Sequence, residues 1–302
     1  MRIIQSLWTK PILNYSIQSE HGRFSGGWLE TRYNLMSWSL SCLQLLKFYD
    51  EVELYTDRLG KHLLIDILQL PYSKVHLVFD SFDEFNTDLW ALGKVFVYGL
   101  QKSPFIHVDG DVYIGERFPS RIEKASLVAQ NVEKGYSLWY PPLMDNLKKQ
   151  GVIFPDIILD VIEREGEINA YNAGIIGGND TDFYRCYSKA SLEFVMSNIC
   201  NIDKTDIGGF NTIYEQNLFY SLAVSKKMPV NSLFETENKE ELDDNVRSFT
   251  SFHQFPHISK YIHLYGVECK RNEKYCDELS VKLRTLYPEF HSKIESLTPA
   301  MS

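Results

Sequence analysis

Residues 105–114 read FIHVDGDVYI, an apolar run that contains two carboxylates one residue apart. Val108 and Val112 favour a buried strand. Asp109 and Asp111 would then bring charge close to the core, where unpaired charge is costly. A divalent cation at the end of the strand would neutralise them, because oxygen ligands suit Mg²⁺ or Mn²⁺ and such a metal commonly completes its shell with phosphate oxygens. A hairpin turn is the simpler alternative, since Asp-Gly between apolar runs is a strong turn signal.

The composition limits the classes of protein to which the chain can belong. Its 302 residues suffice for one large domain or two closely joined ones, and 44% hydrophobic with 24% charged residues is typical of a globular protein. The net charge of -9 and the lack of a basic stripe argue against nucleic acid as a partner. The five cysteines show no CxxC spacing, so neither a disulfide framework nor a thiolate zinc site is indicated.

The N-terminal residues do not have the pattern of a secretory signal. Lys10 and Pro11 interrupt the apolar residues that a signal peptide needs. No apolar run of the sequence is long enough to span a bilayer. Because the cysteines are also scattered, we expect a protein of the reducing cytoplasm. A peripheral contact with a membrane stays open.

Strand-like and helix-like apolar spacing alternates over the first 115 residues. Strands are predicted at residues 2–8, 51–57 and 74–79, and helices at residues 29–48, 63–70 and 88–101. This alternation favours an α/β fold with a mainly parallel central sheet flanked by helices. Ligands of such sheets bind beyond the carboxyl ends of the strands, which makes Ser6, Trp8 and Asp57 candidate contacts. A turn or a helix cap is the commoner role for an aspartate such as Asp57.

Other polar residues also accompany predicted elements. The sequence has no Gly-rich phosphate loop, so metal and side chains would hold any phosphate. Lys94, on the helix before the carboxylates, could balance the charge of Asp109 or of a phosphate, or be an ordinary surface lysine. Asn172 and Gly174 could address sugar hydroxyls, or form a tight turn before a strand.

Two more groups of residues stand later in the chain. Glu215 and Gln216 precede an apolar helix face and fit a solvated stripe. His263 lies in a short predicted strand, and Gly266 and Lys270 follow it. Because a single histidine is more often structural than functional, none of these residues indicates a site by itself.

The order of these elements resembles that of the GT-A glycosyltransferases, in particular the retaining group related to the family 8 galactosyl- and glucosyltransferases. The shared elements, in order, are the Asp-x-Asp pair, YNAG at 171–174, Glu-Gln at 215–216 and His-x-x-Gly-x-x-x-Lys at 263–270. We interpret the chain as a divergent bacterial branch of this group. The resemblance implies one GT-A-like domain over residues 1–302, with a nucleotide-binding half at 1–115, a donor-sugar and acceptor half at 116–275 and a helical tail at 276–302.

The resemblance also implies a metal-dependent transferase. Asp109, Asp111 and His263 would hold Mn²⁺ or Mg²⁺ and bridge it to a nucleoside-diphosphate sugar, with a UDP-sugar as the preferred donor. The acceptor would be a carbohydrate, a lipid-linked molecule or a peptide. Retention is the expected outcome; if the reaction inverts, Glu215 or another acid would be the general base.

The donor sugar has its own implied contacts. Asn172 and Gly174 would lie beside it, Glu215 and Gln216 would lie near its anomeric carbon, and Lys94 matches a basic residue of the family. Glutamate replaces the aspartate that the family has before the glutamine.

The last element departs from the family pattern HxxGxxKPW. Gly266 matches, but Lys270 comes one residue later and Pro-Trp is absent. Arg271 or Lys274 could therefore replace Lys270 as the contact to the diphosphate.

Three other functions fit parts of the sequence. A haloacid-dehalogenase-type phosphatase also uses an Asp-x-Asp strand, but it needs Thr or Val where this chain has Tyr113, and its motif usually lies near the N-terminus. A nucleotidyltransferase could use the same carboxylates, although its Gly-rich loop is missing. A catalytically silent GT-A-like module would bind a nucleotide sugar without turnover.

Overall fold

The computed structural model describes residues 1–13, 26–80, 82, 85–134, 139–235 and 252–297. The strands of these residues are β1 (Arg2–Leu7), β2 (Val52–Thr56), β3 (Lys74–Leu77), β4 (Phe105–Val108), β5 (Val112–Ile114), β6 (Leu127–Ala129), β7 (Val132–Glu133), β8 (Ala170–Tyr171), β9 (Ile175–Gly178), β10 (Val230–Ser232) and β11 (Tyr261–His263).

The same residues form helices of three kinds. The α-helices are α1 (Lys10–Leu13), α2 (Thr31–Leu46), α3 (Arg58–Lys61), α4 (Leu92–Gly99), α5 (Ser120–Glu123), α6 (Tyr140–Lys149), α7 (Asp156–Glu165), α8 (Thr181–Ser197), α9 (Ile207–Thr212), α10 (Leu218–Ser225), α11 (Gly266–Lys270), α12 (Glu273–Leu286) and α13 (Pro288–Leu297). Segments of π-helix span His62–Ile67 and Ile213–Asn217, and 3₁₀ turns span Ile199–Lys204 and Phe252–Gln254.

The fold is α/β, as the sequence predicts. Within the described residues, a mostly parallel central sheet of seven strands is flanked by helices. The chain divides into two compact units, one comprising Met1–Asp83, Val108–Arg117 and Glu240–Ser302 and the other Glu84–His107 and Phe118–Lys239. No helix in the described ranges is both long and apolar enough to cross a membrane. The predicted division into halves at residues 115 and 275 stays a prediction.

The first unit contains three parallel strands and a separate antiparallel pair. The strands β1, β2 and β3 are neighbours in that order, and Ile3 of β1 lies opposite Val52 of β2. Both side chains are fully buried, as expected for parallel strands covered on both faces. The strands β5 and β11 pair antiparallel, with His263 opposite Val112. The helix α2 packs against β5, and α12 and α13 pack against α2.

The second unit has four strands in the order β10-β6-β9-β4 and a short antiparallel pair of β7 with β8. The strands β10 and β6 are parallel, whereas β6 and β9 are antiparallel. Gly177 of β9 has a φ of 157°, and a Cβ there would lie 2.3 Å from the Phe105 carbonyl oxygen. Only glycine permits this close approach of two backbones. The core between α4 and α8 is rich in fully buried aromatic rings, among them Tyr98, Tyr184 and Tyr187.

Two predicted helices differ from the observed ones. The prediction at residues 63–70 corresponds to α3 followed by the π-helical segment, because Asp57 caps α3 and so starts the helical region earlier. The prediction at residues 88–101 corresponds to α4, which covers only Leu92–Gly99. Apolar spacing locates helices well, but caps and tertiary contacts determine where they start and end.

Candidate functional site

The Asp-Gly-Asp segment joins two strands that belong to different sheets. Residue Asp109 follows β4 of the central sheet, and Asp111 precedes β5, which pairs with β11. The segment is therefore a turn, but it does not close the local hairpin that Asp-Gly suggests. A Cβ at Gly110 would lie 2.6 Å from the indole of Trp38, so the turn packs directly on α2 and requires glycine. Asp111 is only 9% exposed.

The pairing of β11 with β5 brings the distant His263 to this turn. Its side chain is buried, and its Nε2 lies 3.4 Å from Asp111 Oδ1. One ligand atom from each of Asp109, Asp111 and His263 can be chosen so that all three lie within 4.8 Å of one another. The structure thus brings together the three residues that the resemblance assigns to a metal.

The donor atoms of this cluster fit a divalent cation. Within the described part of the chain, the buried Asp111 Oδ1 accepts no hydrogen bond, and 3.4 Å to His263 is longer than an ordinary N–H···O bond. Two ligands about 2.1 Å from a metal lie about 3.0 Å apart when adjacent in an octahedron and about 4.2 Å apart when opposite. The cluster would therefore have to contract to bind an ion. Carboxylate oxygens suit Mg²⁺ or Mn²⁺, and an imidazole is a common ligand of transition metals.

Lys270 at the end of α11 pairs with the same carboxylate. Its Nζ lies 2.7 Å from Asp111 Oδ2 and 6.0 Å from the ring centroid of Trp28. Burial alone would raise the pKa of Asp111, but the charges of Lys270 and His263 hold that pKa well below its ordinary value. Asp111 is therefore ionised, and Lys270 lies beside it. The contact of Lys270 with a diphosphate stays a prediction.

Gly266 begins α11 with a φ of 77°. This left-handed conformation favours glycine. Lack of space is not the reason, because a Cβ at this position would meet no other atom within 4 Å. The structure therefore gives Gly266 a backbone role in directing the chain from His263 into the helix that carries Lys270.

The candidate residues at the ends of β1 and β2 differ in their contacts with the rest of the protein. Asp57 Oδ2 accepts hydrogen bonds from the backbone N–H and the hydroxyl of Thr9, both at 2.8 Å, and its Oδ1 accepts one from Gly60 N–H at 2.8 Å. These bonds favour the capping role for Asp57 over a ligand contact. Trp8 is buried against Phe82 with ring centroids 5.5 Å apart, and Ser6 is half-buried near the end of β1.

In the second unit, Lys94 pairs with Glu215. The Nζ of Lys94 lies 2.6 Å from Glu215 Oε1, and the Glu215 side chain is fully buried. Lys94 also lies over the ring of Trp90, at 5.5 Å from its centroid. Glu215 belongs to the π-helical segment Ile213–Asn217, a distortion that is frequent at functional sites. The sequence singles out both residues but does not predict that they pair.

A separate hydrogen-bonded group in the second unit contains the predicted sugar contacts. Asn172 donates to Glu133 Oε1 at 3.1 Å and accepts from Gly174 N–H at 3.0 Å. The Tyr140 hydroxyl donates to Glu133 Oε2 at 2.5 Å and lies 3.4 Å from Gln216 Oε1. Such a set of carboxylate, amides and hydroxyl can bind a polyol.

Sequence reasoning missed Glu133 and Tyr140. Glu133 lies in the two-residue strand β7 and faces Ala170 of β8, and a strand this short gives no periodic signal. Tyr140 begins α6 next to two prolines, which indicate a helix start but no site.

Comparison with known proteins identifies a family without giving a function. Residues 1–297 match the model of a family of unknown function, DUF6734. No curated protein matches the chain.

Proposed function

We propose that this chain, which belongs to the DUF6734 family, is a metal-dependent glycosyltransferase of the GT-A type. It would use a nucleoside-diphosphate sugar as the donor. The observation that carries the proposal is the convergence of Asp109, Asp111 and His263, whose ligand atoms lie within 4.8 Å of one another. The order of motifs along the chain supports the same conclusion. A UDP-sugar is the donor that the resemblance favours, with Mn²⁺ or Mg²⁺ as the metal.

The charges around Asp111 support a site for a metal diphosphate. The four side chains of Asp109, Asp111, His263 and Lys270 include two carboxylates and one ammonium group. Because a histidine that binds a metal must be neutral, these groups would have a net negative charge around the ion. A divalent cation would reverse the sign of this cluster, and the cluster would then attract a diphosphate. The cation would also stabilise the negative charge that develops when the sugar–diphosphate bond breaks.

The chain's own residues would have distinct roles in this reaction. Asp109, Asp111 and His263 would hold the ion, and Gly266 would position α11. Lys270 would move its ammonium group from Asp111 to a diphosphate oxygen, since Asp111 then has another counter-charge. The roles of Asn172, Gly174, Glu215, Gln216 and Lys94 toward the sugar stay predictions from the resemblance, as does retention.

A thermal-shift panel of nucleotide sugars, with and without Mn²⁺, tests this proposal. A ligand that binds only the folded protein raises its melting temperature, by about 5 to 10 °C at a hundredfold excess over Kd. We expect nucleoside-diphosphate sugars to stabilise the protein only with Mn²⁺, and the bound donor to be slowly hydrolysed. Binding without any turnover would indicate the silent module, and release of phosphate from phosphomonoesters would indicate the phosphatase.

Lys270→Gln is expected to change metal and nucleotide binding in opposite directions. Loss of an ammonium group 2.7 Å from a ligand carboxylate should raise the affinity for Mn²⁺ alone by about tenfold and lower the affinity for UDP with Mn²⁺ by about tenfold. Isothermal titration calorimetry measures both. Lys274→Gln serves as the control and should change neither; if it weakens UDP binding and Lys270→Gln does not, the diphosphate contact is Lys274.

A further inference from the structure

We call the segment from Val108 to Val112, which carries Asp109 and Asp111, the carboxylate turn. Every backbone carbonyl of this segment accepts a hydrogen bond. Two of these bonds come from backbone groups: Val112 N–H donates to Asp109 O at 3.1 Å, and Leu264 N–H donates to Asp111 O at 3.1 Å. The second bond ties the turn to the residue after His263. The other donors are side chains from elsewhere in the first unit.

Ser37 and Ser41 of α2 supply two of these donors. The Ser37 hydroxyl donates to Gly110 O at 2.8 Å, and the Ser41 hydroxyl donates to Val112 O at 2.7 Å. Since Ser37 uses its one hydrogen in this way, the Tyr113 hydroxyl at 2.7 Å must be the donor to Ser37. Both serines are buried.

Gln5 of β1 completes the network. Its Nε2 lies 3.0 Å from Ser41 Oγ, 3.3 Å from Val108 O and 3.4 Å from Asp109 O, while its Oε1 accepts from the Tyr72 hydroxyl at 2.8 Å. Donors therefore run in one direction, from Tyr72 through Gln5 and Ser41 to the turn. Such chains of buried hydrogen bonds strengthen one another and fix one geometry.

The serines of α2 are not explained by the needs of the helix. Serine is a mediocre residue for a helix interior, because its hydroxyl competes for backbone groups. Ser39 shows what an ordinary buried serine does here, since its hydroxyl bonds to Leu35 O of its own helix at 2.8 Å. Ser37 and Ser41 instead point their hydroxyls at the carbonyls of the turn.

We infer that Ser37, Ser41 and Gln5 are positioning residues that hold the backbone carrying Asp109 and Asp111 in the conformation that binds the metal. The part of this inference that concerns the metal rests on the proposed function. The part that concerns the order of the turn does not, because it follows from the hydrogen bonds alone. Partners behind metal ligands typically change metal affinity by 10–100-fold when they are removed.

The test compares Ser37→Ala and Ser41→Ala with Ser39→Ala, a matched control in the same helix with the same burial and the same change. Hydrogen–deuterium exchange of the full chain without metal reports on peptides that cover residues 108–114. Titration with Mn²⁺ alone then reports on metal affinity. We expect Ser37→Ala and Ser41→Ala to speed local exchange by about tenfold and to weaken Mn²⁺ binding by about 10–100-fold, and Ser39→Ala to change neither.

The two measurements distinguish a wrong positioning role from a wrong proposed function. If Ser39→Ala has the same effect as the other two, or if exchange at the turn does not change in any variant, the positioning role is wrong. If the wild type binds no Mn²⁺, the proposed function is wrong, and exchange alone then decides whether the serines order the turn. Should Ser41→Ala not fold, Ser37→Ala, which leaves the chain from Gln5 intact, decides in its place.

Discussion

Asp111→Asn is expected to abolish Mn²⁺ binding and Mn²⁺-dependent donor hydrolysis together. Asparagine keeps the shape of the side chain but removes a negative charge from a buried cluster in which His263 and Lys270 lie 3.4 and 2.7 Å away. Because binding of a divalent ion depends on the number of charged ligands, we expect Mn²⁺ affinity to fall by at least about 100-fold. Calorimetry with Mn²⁺ and an assay of UDP release measure the two effects.

The control for this substitution is Asp66→Asn. Asp66 belongs to the same unit and pairs with Lys61 at 2.8 Å, but it is solvent-exposed. Its replacement should alter neither metal binding nor turnover, because an exposed pair contributes little. Circular dichroism shows whether Asp111→Asn retains the fold. Undiminished Mn²⁺-dependent hydrolysis by a folded Asp111→Asn protein would refute the metal role of this carboxylate.

Lys94→Met is expected to lower the free energy of unfolding strongly. The change removes the positive charge that lies 2.6 Å from the fully buried Glu215 carboxylate. Removing one partner of a buried ion pair typically costs about 3 to 5 kcal/mol, because the other charge is left in a medium of low polarity. Urea unfolding, followed by circular dichroism, measures the change in the free energy of unfolding.

A double variant shows whether the charge or the packing is responsible. Replacing a whole buried pair by apolar residues of similar volume is often neutral, so Lys94→Met with Glu215→Leu should recover most of the stability that Lys94→Met loses. A loss below about 1 kcal/mol in Lys94→Met would mean that the pair is no more important than an exposed one. Because the two changes are in contact, non-additivity is itself the expected result.

The Asp-x-Asp turn could be predicted from the sequence because charge next to a buried strand has a local signature. Asp109 and Asp111 interrupt an apolar run, and the cost of burying them requires compensation whatever the fold. The hairpin alternative came from the same local signal, and it was wrong because β4 and β5 belong to different sheets. Strand pairing over long distances in the sequence is not encoded in a turn.

His263 could be assigned only through the order of motifs. Its approach to Asp111 depends on the register of β11 against β5, which no local pattern specifies. The sequence likewise does not predict the pairing of Lys94 with Glu215 or the group around Glu133, because these contacts depend on the tertiary fold. Helical spacing places Ser37 and Ser41 on one face of α2 and Ser39 on another. It does not predict that the hydroxyls of Ser37 and Ser41 meet the backbone of the Asp-Gly-Asp turn.

The location of Mn²⁺ in crystals of the protein tests the central claim most directly. Diffraction data collected at the manganese absorption edge identify the ion by its anomalous scattering. We expect a peak within about 2.3 Å of Asp111 Oδ1 and His263 Nε2, with Asp109 completing the protein ligands. A protein saturated with Mn²⁺ that shows no peak there, or an ion bound elsewhere while Lys270 stays on Asp111, would contradict the account.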